Sequence, residues 1–522
     1  MPPHITPRRR AAAAILRGAA VVVALAAFAA ADSLPKDLAK LESLDGKQAR
    51  EAVARKGPLL LDGLRSLGKE AAGILAAHPG ELSFAGLVSL PPDVAGALGG
   101  HVGGLSLDGV RTLEERSAAG LAAHVGDLTL DGLEELSPSA AAALATHHGD
   151  LSLGGLKELR IEVAAAFHRF PHGLFLDGVT RLDAATATVL ASRPGYLSFD
   201  GLAGLESETA SALAAHGGEL SLSGLATLPV PLAESLARHS GGLYLDGLTA
   251  VDEPLATALA RHRGDLSLGG VAALEPAAAN ALAAHDGGLI LDGVDRIEPP
   301  VAATLASCPG DLSFGGLKQL DPGVARSLAA HGGSLALAGV RTLDEEAARA
   351  LGDHRGALAL NGLTSLPPAV AAALAKCPQA LSFAALGAIA PDAADALGSH
   401  LGPLLLNGLR SLTPEAAAKL AKRESGLELD GLQSLSEPVA AALATHRGTL
   451  VLNGLTGLST PAAKALAAHR GVVVLANLRG VHADTAAALR ANARVLFPER
   501  AVVPPRHDDG KHPPGRAGKK SG

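Results

Sequence analysis

The chain has 522 residues, 48% of them hydrophobic, yet it holds no Trp, 2 Tyr and 9 Phe. That length exceeds one compact core, and an Ala/Leu/Val interior lacks the aromatic groups that usually grip a flat cofactor. With 52 acidic against 45 basic residues, the net charge of −7 argues against a nucleic-acid partner.

In chain order, residues 1–31 come first. Arg8, Arg9, Arg10 and Arg17 form a positive region, and an apolar stretch, 19–31, ends in Ala29-Ala30-Ala31. This is the layout of a secretory signal peptide cleaved near Ala31, with an uncleaved N-terminal anchor as the alternative. No other apolar run is long enough to span a bilayer, so no membrane span is expected after cleavage. Removing the four arginines leaves 41 basic against 52 acidic residues. Residues 500–522 are Pro/Gly-rich and basic and read as a disordered tail. The body between these ends, 32–499, is left with 35 basic against 50 acidic residues.

That body repeats every 23 residues. The second residue of a DG, GG or NG pair falls at Gly63, Gly86, Gly109, Gly132, Gly155 and onward without insertion, through Ala385, to Asn477. About nineteen units share this register, and LESL at 41–44 resembles a degenerate unit ahead of them. Within one unit, Leu151 and Leu153 flank Ser152 with the period of a short strand. Asp131-Gly132 reads as a local turn whose glycine adopts positive φ. Ser137-Pro138 reads as an N-cap and first helical residue, Ala141, Leu144 and Ala145 share one helical face, and the helix is expected to run to His147 and end at Gly149. Such a unit buries nothing alone. Stacked units pair their strands into one parallel sheet with helices outside. A slower rhythm overlies the first: Leu60, Phe175, Ile290 and Leu405, at the mid-strand place, are 115 residues apart.

L-x-L-x-G-L-x-x-L followed by A-L-A-x-[HC]-x-G-x-L resembles the leucine-rich repeats, and LASCPGDLSFGGL at 305–317 is similar to the cysteine-containing, helix-bearing type. The resemblance covers roughly 41–496, though the unit is short and Leu stands where the family has Asn or Cys after the strand. It implies an α/β fold: an open right-handed solenoid with a parallel inner sheet and outer helices.

The place fifteen residues after the turn glycine holds His78, His101, His124, His147 and nine further histidines, but also Phe170, Arg193, Cys308, Cys377, Arg423 and Asn492. Phe and Arg are not metal ligands, and one side chain per unit makes a line where a tetrahedral site needs convergence. The column is therefore read as structural, each ring packing on its neighbour near carbonyls left open at a helix end. The Asp/Asn column before the turn glycine is likewise read as turn chemistry, since Gly154, Gly269 and Ala338 interrupt any calcium ladder. Cys308 and Cys377 lie three units apart, beyond disulfide reach. No P-loop, G-x-S-x-G or H-E-x-x-H pattern occurs. No catalytic residue, cofactor site or metal site is assigned.

The residues between the strand leucines are expected to line an exposed inner face. The resemblance implies that this face binds other proteins, with Phe175, Tyr244 and Ile290 as anchors and Ser198, Ser221 and Ser267 between them. The sequence thus reads as an exported, non-enzymatic protein-binding scaffold of the periplasm, envelope or extracellular space. The alternative is a structural envelope component that associates with itself.

Overall fold

The computed structural model describes residues 34–498. The proposed signal segment and the basic tail lie outside the described residues. The chain folds as an open α/β solenoid of 23-residue repeats. Strands β1 (Leu59–Leu60) to β20 (Val495–Leu496) alternate with helices α1 (Gly46–Val53) to α20 (Ala483–Arg490). They form one 20-stranded sheet in which each strand pairs in parallel with the next. The partners are 23 residues apart, Leu128↔Leu151 and Leu151↔Leu174 for example, and the step shortens to 22 only at Val473↔Val495. The first and last strands do not pair, so the sheet stays open.

Each strand is two residues long, and its rungs come from two backbone donors. Leu151 N–H donates to Gly173 O (2.8 Å) and Leu153 N–H to Phe175 O (2.9 Å). Leu151 and Leu153 point into the core with Leu133, Ala140, Ala141 and Leu144, all fully buried. Leu, Ala and Val suffice because the helix sits one side chain away from the sheet. Ser137 caps α5 (Pro138–Leu144) by accepting from Ala140 N–H, and Pro138 takes the first position, where its missing N–H costs nothing. The expected extension to His147 is not made. The helix stops at Leu144, and His147 follows in a turn, its N–H on Leu144 O. At the N-terminal end, Leu38 and Leu44 are buried beneath the first turn, and Arg65 N–H donates to Glu42 O. Residues 38–44 thus pack against the first unit.

The turn glycines correct a second expectation. Positive φ occurs at Gly57, Gly103, Gly126, Gly195 and Gly480, and at none of the turn positions. The demand there is space. A Cβ on Gly132 would lie 2.1 Å from Asp108 O, and one on Gly155 would lie 2.4 Å from both Asp131 O and Leu133 O. Successive turns nest so closely that only a hydrogen fits between them.

Candidate functional site

The Asp column, read above as local turn chemistry, instead ties the units that carry it to the next ones. Asp131 Oδ1 accepts from Ser152 Oγ (2.6 Å) and Gly154 N–H (2.7 Å), 21 and 23 residues ahead. Asp200 accepts from Ser221 Oγ (2.5 Å) and Ser223 N–H (2.8 Å), and Asp292 from Ser313 Oγ (2.6 Å) and Gly315 N–H (2.7 Å). Asn361 does the same for Ser382 and Ala384. The carboxylate supplies the rung that the backbone cannot supply where it turns out of the sheet. Burial raises the pKa of Asp131 and Asp177; hydrogen bonds from Ser152 and Ser198 respectively act the other way.

The histidine column is buried along its length, and its members stack. Ring centroids are 5.5 Å apart for His101 and His124, 5.3 Å for His124 and His147, and 5.8 Å for His239 and His262. Where the nitrogens have close partners, these are backbone carbonyls. His78 Nε2 donates to Gly57 O (2.8 Å) and His147 Nε2 to Gly126 O (2.9 Å), while His331 Nδ1 faces Ala306 O (3.2 Å). In His124 and His239 both ring nitrogens are buried without a close partner. The replacements obey the same geometry. Asn492 donates to Ala467 O and His469 O, Cys377 Sγ lies 3.3 Å from His354 O, and Arg423 donates to Gly402 O. Where the side chain at this place has a close polar partner, it is in most units a carbonyl of the preceding unit; Phe170 and five histidines, His124 and His239 among them, have none. Both cysteines are free and buried, and burial pushes their thiols up, Cys308 to about 11. Desolvation pulls ten of the histidines down, His124 and His239 to about 4. Among the described residues, no three His, Cys, Asp or Glu side chains converge as metal ligands.

On the sheet face away from the helices, two of the three residues expected as anchors come together. Phe175 on β6 (Leu174–Phe175) and Tyr244 on β9 (Leu243–Tyr244) are each half-buried, and Tyr196, just before β7 (Leu197–Ser198), joins them. Ring centroids are 5.2 Å apart for Phe175 and Tyr196, and 6.0 Å for Tyr196 and Tyr244. Tyr196 was not among the anchors read from the sequence, because it stands outside the mid-strand place. Its ring reaches across the intervening β8 (Leu220–Ser221), and its hydroxyl is hydrogen-bonded to Ser221. Ile290, half-buried on β11 (Leu289–Ile290), lies two strands beyond Tyr244 and outside this cluster. The serines differ from expectation. Ser198, Ser221 and Ser267 are only 1–3% exposed, because each hydroxyl is drawn down to the preceding Asp: Asp177, Asp200 and Asp246. They form the floor between the aromatic side chains and offer little to a partner.

Behind the ridge the column changes. Phe170 fills the histidine place and Phe167 that of the last helix leucine, and the buried Arg193 guanidinium lies 5.8 Å from the Phe170 ring. Arg193 donates to the carbonyls of Phe170, His172 and Tyr196, which holds the backbone from which Tyr196 projects. Two of the six units that break the histidine column are thus the ones that carry Phe175 and Tyr196. Burial and nearby carboxylates raise both tyrosines, Tyr196 to about 12 and Tyr244 further.

No family model and no curated protein matches the chain. Among solved structures, it is similar to a leucine-rich repeat protein of Leptospira interrogans (17% identity, 80% of this chain and 95% of that one, TM-score 0.28). It is also similar to the mouse RP105/MD-1 complex (14% identity, 85% and 82%, TM-score 0.41) and to the TLR13–ssRNA13 complex (15% identity, 80% and 62%, TM-score 0.39). This chain thus spans less than two thirds of the TLR13 chain. The fold assignment rests on the repeat register and sheet of the chain itself.

Proposed function

From the leucine-rich repeat solenoid as premise, we propose that the chain is a non-enzymatic scaffold, exported to the periplasm, envelope or exterior, that binds a protein partner on its inner face. The supporting observation is the ridge of Phe175, Tyr196 and Tyr244, half-exposed on a sheet face that no described element covers. Large aromatic side chains held rigidly are the groups on which interfaces concentrate their binding energy. Export rests on the sequence of residues 1–31. No helix among the described residues is long and apolar enough to cross a membrane. The solenoid is proposed to occupy 32–499, with the basic tail after it.

The test is affinity capture from envelope extract, followed by hydrogen exchange on the captured complex. A stoichiometric partner that protects the strands around Phe175, Tyr196 and Tyr244 supports the reading. Capture of further copies of the same chain alone would replace it with self-assembly, and protection confined to the helices would move the binding face.

A further inference from the structure

The aromatic ridge lies in an acidic frame. The strand-and-turn stretches 196–204, 219–227, 242–250 and 265–273 carry Asp200, Glu219, Asp246 and Asp265 and contain no Lys or Arg. The corresponding β6 stretch, 173–181, adds a fifth carboxylate, Asp177, and ends in the exposed Arg181. Glu219 and Asp265 are exposed and stand in the units on either side of Tyr244, whose hydroxyl donates to Glu219 (3.4 Å). Asp177, Asp200, Glu219 and Asp265 form no ion pair among the described residues; their partners are hydroxyl and backbone N–H groups. Arg193, beneath the ridge, is buried and committed to backbone carbonyls. The field at both tyrosine hydroxyls is negative: Asp177, Asp200 and Glu219 act on Tyr196, and Glu219 and Asp265 on Tyr244.

We propose that this face captures a cationic polypeptide segment, whose Arg or Lys side chains lie over the Tyr196 and Tyr244 rings and pair with Glu219 and Asp265. The proposal rests on the reading of the inner face as the docking surface and adds the chemistry of what docks. Rings with carboxylates on both sides suit a cation with an apolar stem, because the ring faces attract the charge and the acids neutralise it. From β6 to β10 (Leu266–Ser267) the frame is about 19 Å long at the usual strand spacing. An extended chain of about six residues covers that length, and a single small amine does not. Anionic lipid or nucleic acid would meet five carboxylates, with Arg181 and Arg263 only at the margins of the frame.

The chain supplies its own reporter. Tyr196 and Tyr244 are its two tyrosines and it has no Trp, so intrinsic fluorescence reads this ridge alone. An oligo-arginine peptide titrated into the full chain at low salt should change tyrosine emission saturably. Glu219→Gln with Asp265→Asn keeps hydrogen-bonding capacity and should weaken binding about tenfold. Glu345→Gln with Glu346→Gln removes the same charge from the exposed start of helix α14 (Glu345–Leu351) and should weaken it less than about twofold. Equal weakening by both pairs would mean attraction to overall charge and would overturn the site, as would an unchanged emission with far-UV dichroism showing intact folds. Protection of the ridge by a native partner without oligo-arginine binding would overturn the cationic assignment and leave the docking reading standing. Local oligo-arginine binding with the native partner on the helices would keep the cation site and remove the docking reading.

Discussion

Ser267 and Leu268 are adjacent, both buried, and held for different reasons. Leu268 fills the core, and Leu268→Ala should lower unfolding free energy by about 2–5 kcal/mol through lost burial and the cavity left behind. Ser267 donates to Asp246, an acceptor it shares with Gly269 N–H. Ser267→Ala should cost about 1–2 kcal/mol, where a solvent-facing serine would cost almost nothing. Urea unfolding of the two variants checks both values, and a Ser267→Ala variant as stable as the parent would show that the carboxylate rungs contribute nothing. The sequence revealed the alternation Leu266–Ser267–Leu268 but not this bond, because the partner lies 21 residues away. A reading of one unit at a time gives Asp131 only its own turn to satisfy, whereas its acceptors are used by Ser152 and Gly154 of the next unit. Tyr196 was missed for a related reason: it belongs with Tyr244 only once an intervening strand places them together.

At the scale of the element, one substitution has opposite signs in two places. A methyl group on Gly132 would meet the backbone of the preceding turn, so Gly132→Ala should cost about 2–3 kcal/mol. Gly73 lies within helix α2 (Lys69–Leu75), where nothing stands within 4 Å of an added Cβ, and Gly73→Ala should stabilise by about 0.5–1 kcal/mol. Thermal midpoints moving the same way for both would disprove the nesting of turns. The existence and order of the elements were legible because the leucine spacing and the Ser137-Pro138 start are local signals. The helix end was not. Ala145 and Thr146 suit a helix, but the chain must leave after Leu144 to bring His147 onto the preceding unit's carbonyls. Packing between units overrides local preference there.

Over the whole molecule the buried histidines act in one direction. Ten have folded-state pKa values below the unfolded value of about 6.5, reaching about 4 at His124 and His239. A base whose pKa falls on folding favours the native state while it is neutral. Its contribution is complete above pH 6.5 and declines as pH falls towards 4, where the unfolded chain binds more protons. The urea midpoint should be level from about pH 7 to 8 and fall steadily below about 6.5. His124→Asn with His239→Asn should shallow that fall, since Asn492 fills an equivalent place without titrating in this range. A midpoint independent of pH between 4 and 7 would mean that the rings are hydrated or already charged.

The two-residue strand has a mechanical consequence. A folded unit adds about 4.8 Å along the axis, while its 23 residues stretch to roughly 80 Å when pulled straight. Tension applied between the ends loads every seam in series, and each seam is a short row of rungs, clasped by a side chain where the Asp/Asn column is filled. Such a chain lengthens by shedding units one at a time, each release paying out nearly the same slack. It would behave as a shock absorber graduated in equal steps, with the seams around Arg193 and Tyr196 set apart by their different bonding.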